Sequence, residues 1–183
     1  MKNIFVLSDK EFGLDSIKLN NPQIRLSSRG IVINSDNKIA ILNKRNNNEY
    51  KLVGGGIDNN EDPRTAFERE VLEEAGCKIK IDDFLGTVKE ERTNNNFVQT
   101  SYIYVAHVIE DTKKLELTQK EIDEGARLIW LELEDAINII KESEKDIKAS
   151  KYENILSKKF VVRRDYNILI YYKNNYLNML NRQ

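Results

Sequence analysis

Apolar residues in this chain fall into short runs separated by turns rich in Asn, Asp and Gly, a pattern that favours strands over long helices. Ile4 to Leu7 is the first run, followed by a polar stretch through Asn20, Asn21 and Pro22 that reads as loop. Ile31 to Ile33 and Ile39 to Leu42 flank the polar residues Asn34 to Lys38 and predict a hairpin. Tyr50 to Val53 predicts a short strand leading into Gly54, Gly55 and Gly56, three positions without Cβ where something approaches the backbone closely.

Asp62 before Pro63 is a helix-start signal and Gly76 a stop, so a helix is predicted over residues 63–75. Strands follow near Ile79 to Ile81, Phe84 to Glu90 and Phe97 to Val108, with Asn94 to Asn96 as a turn. Leu128 to Leu133 predicts another strand and Glu134 to Glu142 a helix. From Ser150 onward, Tyr166, Leu169, Ile170, Tyr176, Leu177 and Leu180 recur at helical spacing. This alternation predicts an α/β or α+β sheet fold covered by helices, organised as an N-terminal extension (1–26), one main domain (27–145) and a helical extension (146–183) packing on the domain or on a second subunit.

Composition narrows the function by exclusion. With 29 basic and 30 acidic side chains the net charge is close to zero, which leaves no general footprint for nucleic acid or an anionic membrane. The single cysteine, Cys77, excludes an intrachain disulfide, and one His with one Cys cannot build a zinc site. No apolar run approaches the ~20 residues that span a bilayer, and the start carries no secretory h-region, so a cytoplasmic location is expected. Lys158, Lys159, Arg163 and Arg164 lie near tyrosines and offer a weak case for RNA contact, but a cationic face on an amphipathic helix explains them equally. His107 in its apolar strand, and Trp130, read as structural.

The chemistry is concentrated around the glycines and the first long helix. On an ideal helix Glu74 lies about 40° to one side of Glu70 and Glu73 about 60° to the other, so three carboxylates share one face. Carboxylates this close repel unless a cation neutralises them, and oxygen-only ligands suit a hard divalent ion such as Mg²⁺. Arg69 beside them can hold a carboxylate by a bidentate pair. A glutamate run alone would read as a solvated helix face. The full spacing, Gly55, Glu61, Arg69, Glu70, Glu73, Glu74 and Gly76 with two apolar positions, matches by chance on the order of 10⁻⁹ per starting position.

These residues resemble the Nudix box, Gly-x5-Glu-x7-Arg-Glu-U-x-Glu-Glu-x-Gly-U with U aliphatic, and all seven fixed identities are present. The likeness extends over roughly Ser27 to Glu142; Val53 replaces a proline that many relatives carry, and Cys77 stands at an aliphatic position. The resemblance implies an α/β/α sandwich around a mixed sheet and a Mg²⁺-dependent hydrolase of phosphoanhydride bonds, with Mn²⁺ as a substitute. Its substrate would be a nucleoside diphosphate linked to another group: a nucleoside triphosphate, a nucleotide sugar, ADP-ribose or an RNA 5′ end. It implies Glu70, Glu73, Glu74, the Gly54 carbonyl and Glu61 as metal ligands. Glu73 and Glu74 with Arg69 would serve catalysis, Glu121 and Glu124 are candidates for a distal base, and Arg45, Arg29, Gly55 and Gly56 would meet substrate. A monomer or homodimer is expected. The alternative from another class is a catalytically silent nucleotide-binding regulator of the same fold.

Overall fold

In a computed structural model that describes residues 2–180, eight strands form one mixed sheet with helices on both faces. The strands are β1 (Asn3–Ser8), β2 (Gln23–Ile33), β3 (Ile39–Lys44), β4 (Glu49–Leu52), β5 (Gly54–Gly56), β6 (Cys77–Arg92), β7 (Phe97–Asp111) and β8 (Ala126–Leu131). The helices are α1 (Pro63–Ala75), α2 (Gln119–Asp123), α3 (Leu133–Ser143), α4 (Ile155–Tyr171) and α5 (Asn178–Leu180), with a wider π-type turn over Tyr172–Leu177. The sheet order is β1-β6-β7-β2-β3-β4, with β5 added to β2 and β8 to β3.

Period-two alternation divides the core between the two faces of the sheet. Ile31, Ile33, Ile39, Ile41, Leu52, Ile103 and Val105 face Ala136, Ile137, Ile140, Val162, Ile168 and Leu169 of α3 and α4. Their neighbours Val32, Ala40, Val53, Tyr104 and Ala106 face Phe67, Val71 and Ala75 of α1. The result is the α/β/α sandwich that the box resemblance implies.

Several elements are longer than their apolar runs. β2 starts at Gln23 because residues 23–33 pair in parallel with residues 97–107 of β7. The runs at 79–81 and 84–90 join into the single bulged strand β6, paired antiparallel with β7 throughout. β1 pairs in parallel with β6, so the first apolar run lies in the sheet. The loop after it contains a short turn, Asp9–Phe12, anchored where Asp9 accepts from Thr93 Oγ1 at 2.6 Å. The C-terminal helix begins at Ile155, where Asn154 caps it by accepting from Ser157 N. It does not present one cationic face: Lys158 and Arg164 are buried and Lys159 and Arg163 lie nearer solvent.

Candidate active site

α1 is positioned by the local signals at its ends. Asp62 accepts from the backbone N–H of Arg64 and Thr65, Pro63 occupies the first helical position, and Gly76 closes the helix at φ 64°. Burying Phe67, Val71 and Ala75 against the sheet turns the acidic face toward β5 and the glycines. Two of those glycines are required there. A Cβ on Gly55 would stand 2.4 Å from the Glu70 carboxylate, and Gly54, at φ 133°, packs directly over Arg29 and the carbonyl of Ser28.

Arg69 braces the acidic face. Its Nε and Nη2 each donate at 2.9 Å to an oxygen of Glu61, Nη2 also donates to the Gly56 carbonyl, and Nη1 donates to Glu70 at 3.0 Å and Glu73 at 3.1 Å. Glu61 therefore acts on Arg69, which in turn fixes Glu70 and Glu73. The second oxygens, Glu70 Oε2 and Glu73 Oε1, accept no hydrogen bond among the described residues.

Glu74 is held differently. It is buried, accepts from Gly54 N at 2.7 Å and from Lys51 Nζ at 2.8 Å, and Lys51 also donates to the Gly54 carbonyl at 3.2 Å. Burial pushes the Glu74 carboxyl up to about 7, against the pull of the Lys51 ammonium. Burial likewise raises Glu73, partly offset by Arg69. Across the pocket Glu121, at the start of α2, accepts from Thr118 N and Oγ1 at 2.8 Å; burial opposes its charge, but Lys51 and Thr118 hold it below the usual range.

The donor set fits a divalent cation. Among the described residues the five carboxylates Glu61, Glu70, Glu73, Glu74 and Glu121 accept side-chain hydrogen bonds from only two cations, Arg69 and Lys51, and all are hard oxygen donors. Because the Lys51 ammonium lies across Glu74 and the Gly54 carbonyl, the open oxygens are those of Glu70 and Glu73.

A cavity of about 290 Å³ opens over this face, lined by Gly54, Gly55, Gly56, Arg69, Glu70, Glu73, Glu74, Glu121 and Arg29 among the residues named from sequence. Three others lie outside that lining, Glu61 among them, where it is bonded to Arg69. Arg45 is exposed and donates to the Gly125 carbonyl, outside the cavity. Glu124 is buried, with Lys158 at 2.8 Å on one oxygen and Lys44 at 2.7 Å on the other. Burial alone would raise it, but those two ammonium groups hold it down at about 2, a poor base for water. Glu124 is thus placed as a structural ion-pair partner. His107 is exposed and pairs with Asp82 at 2.5 Å, while Cys77 is buried and burial pushes its thiol up to about 11.

The sequence reading missed Lys51 and most of the basic floor: Arg25, Arg92 and Arg164. Lys51 gave one available signal, a lysine one residue before Leu52 in a buried strand. Arg164 gave no signal for this site, because it comes from a helix far beyond the box in sequence and reaches the cavity only through the packing of α4.

A NUDIX domain family model matches residues 24–152. Among curated proteins, diphosphoinositol polyphosphate phosphohydrolase 2 of Rattus norvegicus is 31% identical over 106 residues, 58% of this chain and 55% of that protein. Diphosphoinositol polyphosphate phosphohydrolase 3-beta of Homo sapiens is also 31% identical over 106 residues, 61% of its length. The match therefore spans somewhat over half the length of these relatives. Among solved structures, a MutT protein from Methanosarcina mazei Go1 superposes with TM-score 0.55 at 17% identity, covering 85% of this chain and 99% of that one. A UDP-X diphosphatase superposes with TM-score 0.53 at 14% identity, covering 87% and 66%. These likenesses carry the fold, and members of the family generally use divalent metal ions. With a family model over most of its length and the box residues Gly55, Arg69, Glu70, Glu73 and Glu74 gathered at one cavity, the chain belongs to the Nudix family.

Proposed function

We propose that this chain hydrolyses a phosphoanhydride bond in a small phosphorylated molecule, using a divalent ion, Mg²⁺ with Mn²⁺ as a substitute, held by Glu70 and Glu73. The observation that carries this reading is the pair of open oxygens, Glu70 Oε2 and Glu73 Oε1, fixed by Arg69 over the bare backbone of Gly55. The ion would offset diphosphate charge and lower the pKa of bound water. Arg69 and Glu61 orient the ligands, Gly55 and Gly56 leave room for phosphate at the backbone, and Glu121 faces the same cavity from α2 to orient the attacking water. Glu74, bonded to Gly54 N and Lys51, fixes the glycine segment against α1.

The relatives named for diphosphoinositol polyphosphates, together with the nucleotide substrates implied by the box, define the substrates to test. Mg²⁺-dependent phosphate or nucleotide release is measured on nucleoside triphosphates, nucleotide sugars, ADP-ribose and diphosphoinositol polyphosphates, with Glu73→Gln as control. Turnover of at least one, abolished in that variant, is expected. Binding without turnover across the panel would overturn the hydrolase reading in favour of a silent regulator.

A further inference from the structure

Four arginines that make no hydrogen bond to the box carboxylates line the same cavity: Arg25 and Arg29 from β2, Arg92 from the end of β6, and Arg164 from α4. The anions bound to them number two. Glu90 accepts from Arg92 Nε at 2.9 Å and from Arg164 Nη1 at 2.6 Å, and Asp165 accepts from Arg164 Nε at 2.7 Å. Two positive charges are left over. Arg29 is 4% exposed, yet among the described residues its Nε and Nη1 have no hydrogen-bond partner; Asp165 lies 3.6 Å from Nη1. Arg164, 1% exposed, has Nη2 unpartnered as well. Buried donors without acceptors are costly, and three of them on guanidinium groups lining one cavity point to an anion. Burial and the neighbouring Arg164 also push the Arg29 guanidinium down to about 10, as expected where cations crowd without enough counter-charge.

The rest of the lining says what accompanies that anion. The three lysines are already engaged: Lys44 with Glu124, Lys51 with Glu74 and Lys120 with Glu153. The lining contains no aromatic side chain and one aliphatic one, Val161, so the cavity gives a nucleobase no stacking platform. Guanidinium forks match phosphate oxygens by paired, charge-assisted bonds.

We propose that Arg25, Arg29, Arg92 and Arg164 form a second anion subsite that takes a phosphate group of the substrate outside the scissile diphosphate. The substrate class is then a multiply phosphorylated small molecule recognised by its charge and not by a base. This rests on the reading of the cavity as the substrate site, and its test does not depend on turnover.

Calorimetry in metal-free buffer compares inositol hexakisphosphate, which has clustered phosphates and no anhydride, with adenosine monophosphate, which has one phosphate and a base. The hexakisphosphate is expected to bind more tightly, and Arg25→Gln and Arg29→Gln each to weaken it about tenfold or more. Glu73→Gln should still bind it although hydrolysis is lost, which separates failure of the subsite from failure of the hydrolase reading. Arg25 is exposed, so its variant should keep the fold even if Arg29→Gln does not. Lys145→Gln, on the surface, is the control for general charge. Equal or tighter binding of adenosine monophosphate, wild-type affinity in Arg25→Gln, or an equal loss in Lys145→Gln would overturn the proposal.

Discussion

Two clusters of glutamates lie close together in this molecule, and they have opposite fates. Glu70, Glu73 and Glu74 share one helix face; Glu49, Glu124 and Glu153 come from β4 and the segments after α2 and before α4, with oxygens within 4.8 Å of one another. By donor type alone either could hold a metal. The second is already neutralised, since Lys158 reaches Glu49 at 2.5 Å and Glu124 at 2.8 Å while Lys44 reaches Glu124 at 2.7 Å. The first has Arg69 and Lys51 but keeps two open oxygens. A carboxylate cluster stays open to a cation where the fold leaves some of its oxygens without a positive partner, and becomes a structural joint where lysines occupy them.

The sharpest way to break this comparison is to remove one charge from each cluster, a carboxylate from the first and the central lysine from the second. Glu73→Gln should lower hydrolysis by about 10³-fold or more while the thermal midpoint stays near wild type, because Glu73 is partly exposed. Lys158→Met should act the other way, costing about 3–5 kcal/mol in denaturant unfolding by leaving Glu49 and Glu124 buried beside too little positive charge. If Lys158→Met is stable and Glu73→Gln unfolds, the assignment of the two clusters is reversed.

A smaller effect is expected at the brace. Arg69→Lys keeps the charge but loses the fork to Glu61, and should reduce turnover about 10–100-fold with more effect on kcat than on KM. Acid sharpens the structural side. Glu124 and Glu90 are both held at about 2 against an ordinary value of 4.5; burial opposes their charge, and lysines or arginines prevail. Folded values below the unfolded one mean that this stabilisation is complete above about pH 4.5 and is lost as pH falls toward 2. Thermal midpoints measured down that range should therefore drop, and less steeply in Glu124→Gln. The smallest effect belongs to the exposed pair: His107→Ala should change stability by no more than about 0.5 kcal/mol.

The box was legible in the sequence because all its parts are local. Asp62, Pro63 and Gly76 set the helix ends, helical geometry places Glu70, Glu73 and Glu74 on one face, and Arg69 braces its own turn. Strand runs were legible where one face is apolar, as at Ile31 to Ile33. They were less so where pairing alone extends them: β2 back to Gln23 and β6 through its bulges, because backbone hydrogen bonds leave no signature in side-chain pattern. Glu121 and Glu124 looked equivalent as distal carboxylates, three positions apart on a short segment. Only packing separates them, turning one toward the cavity and the other onto Lys44 and Lys158.

By itself, then, the sequence determined the acidic face: a contiguous helix carries its own geometry, and the spacing of its charges already sets three carboxylates side by side. The tertiary structure decided the other half. Arg164 of α4 meets Glu90 of β6, 74 positions away, and Lys51 meets Glu74 from another strand. Whether a charged residue ends in a salt bridge, on the surface or as an unpaired donor in a cavity depends on which partners the sheet order and helix docking bring beside it. No local pattern encodes those long-range partners, so the floor of the site became visible only in the folded chain.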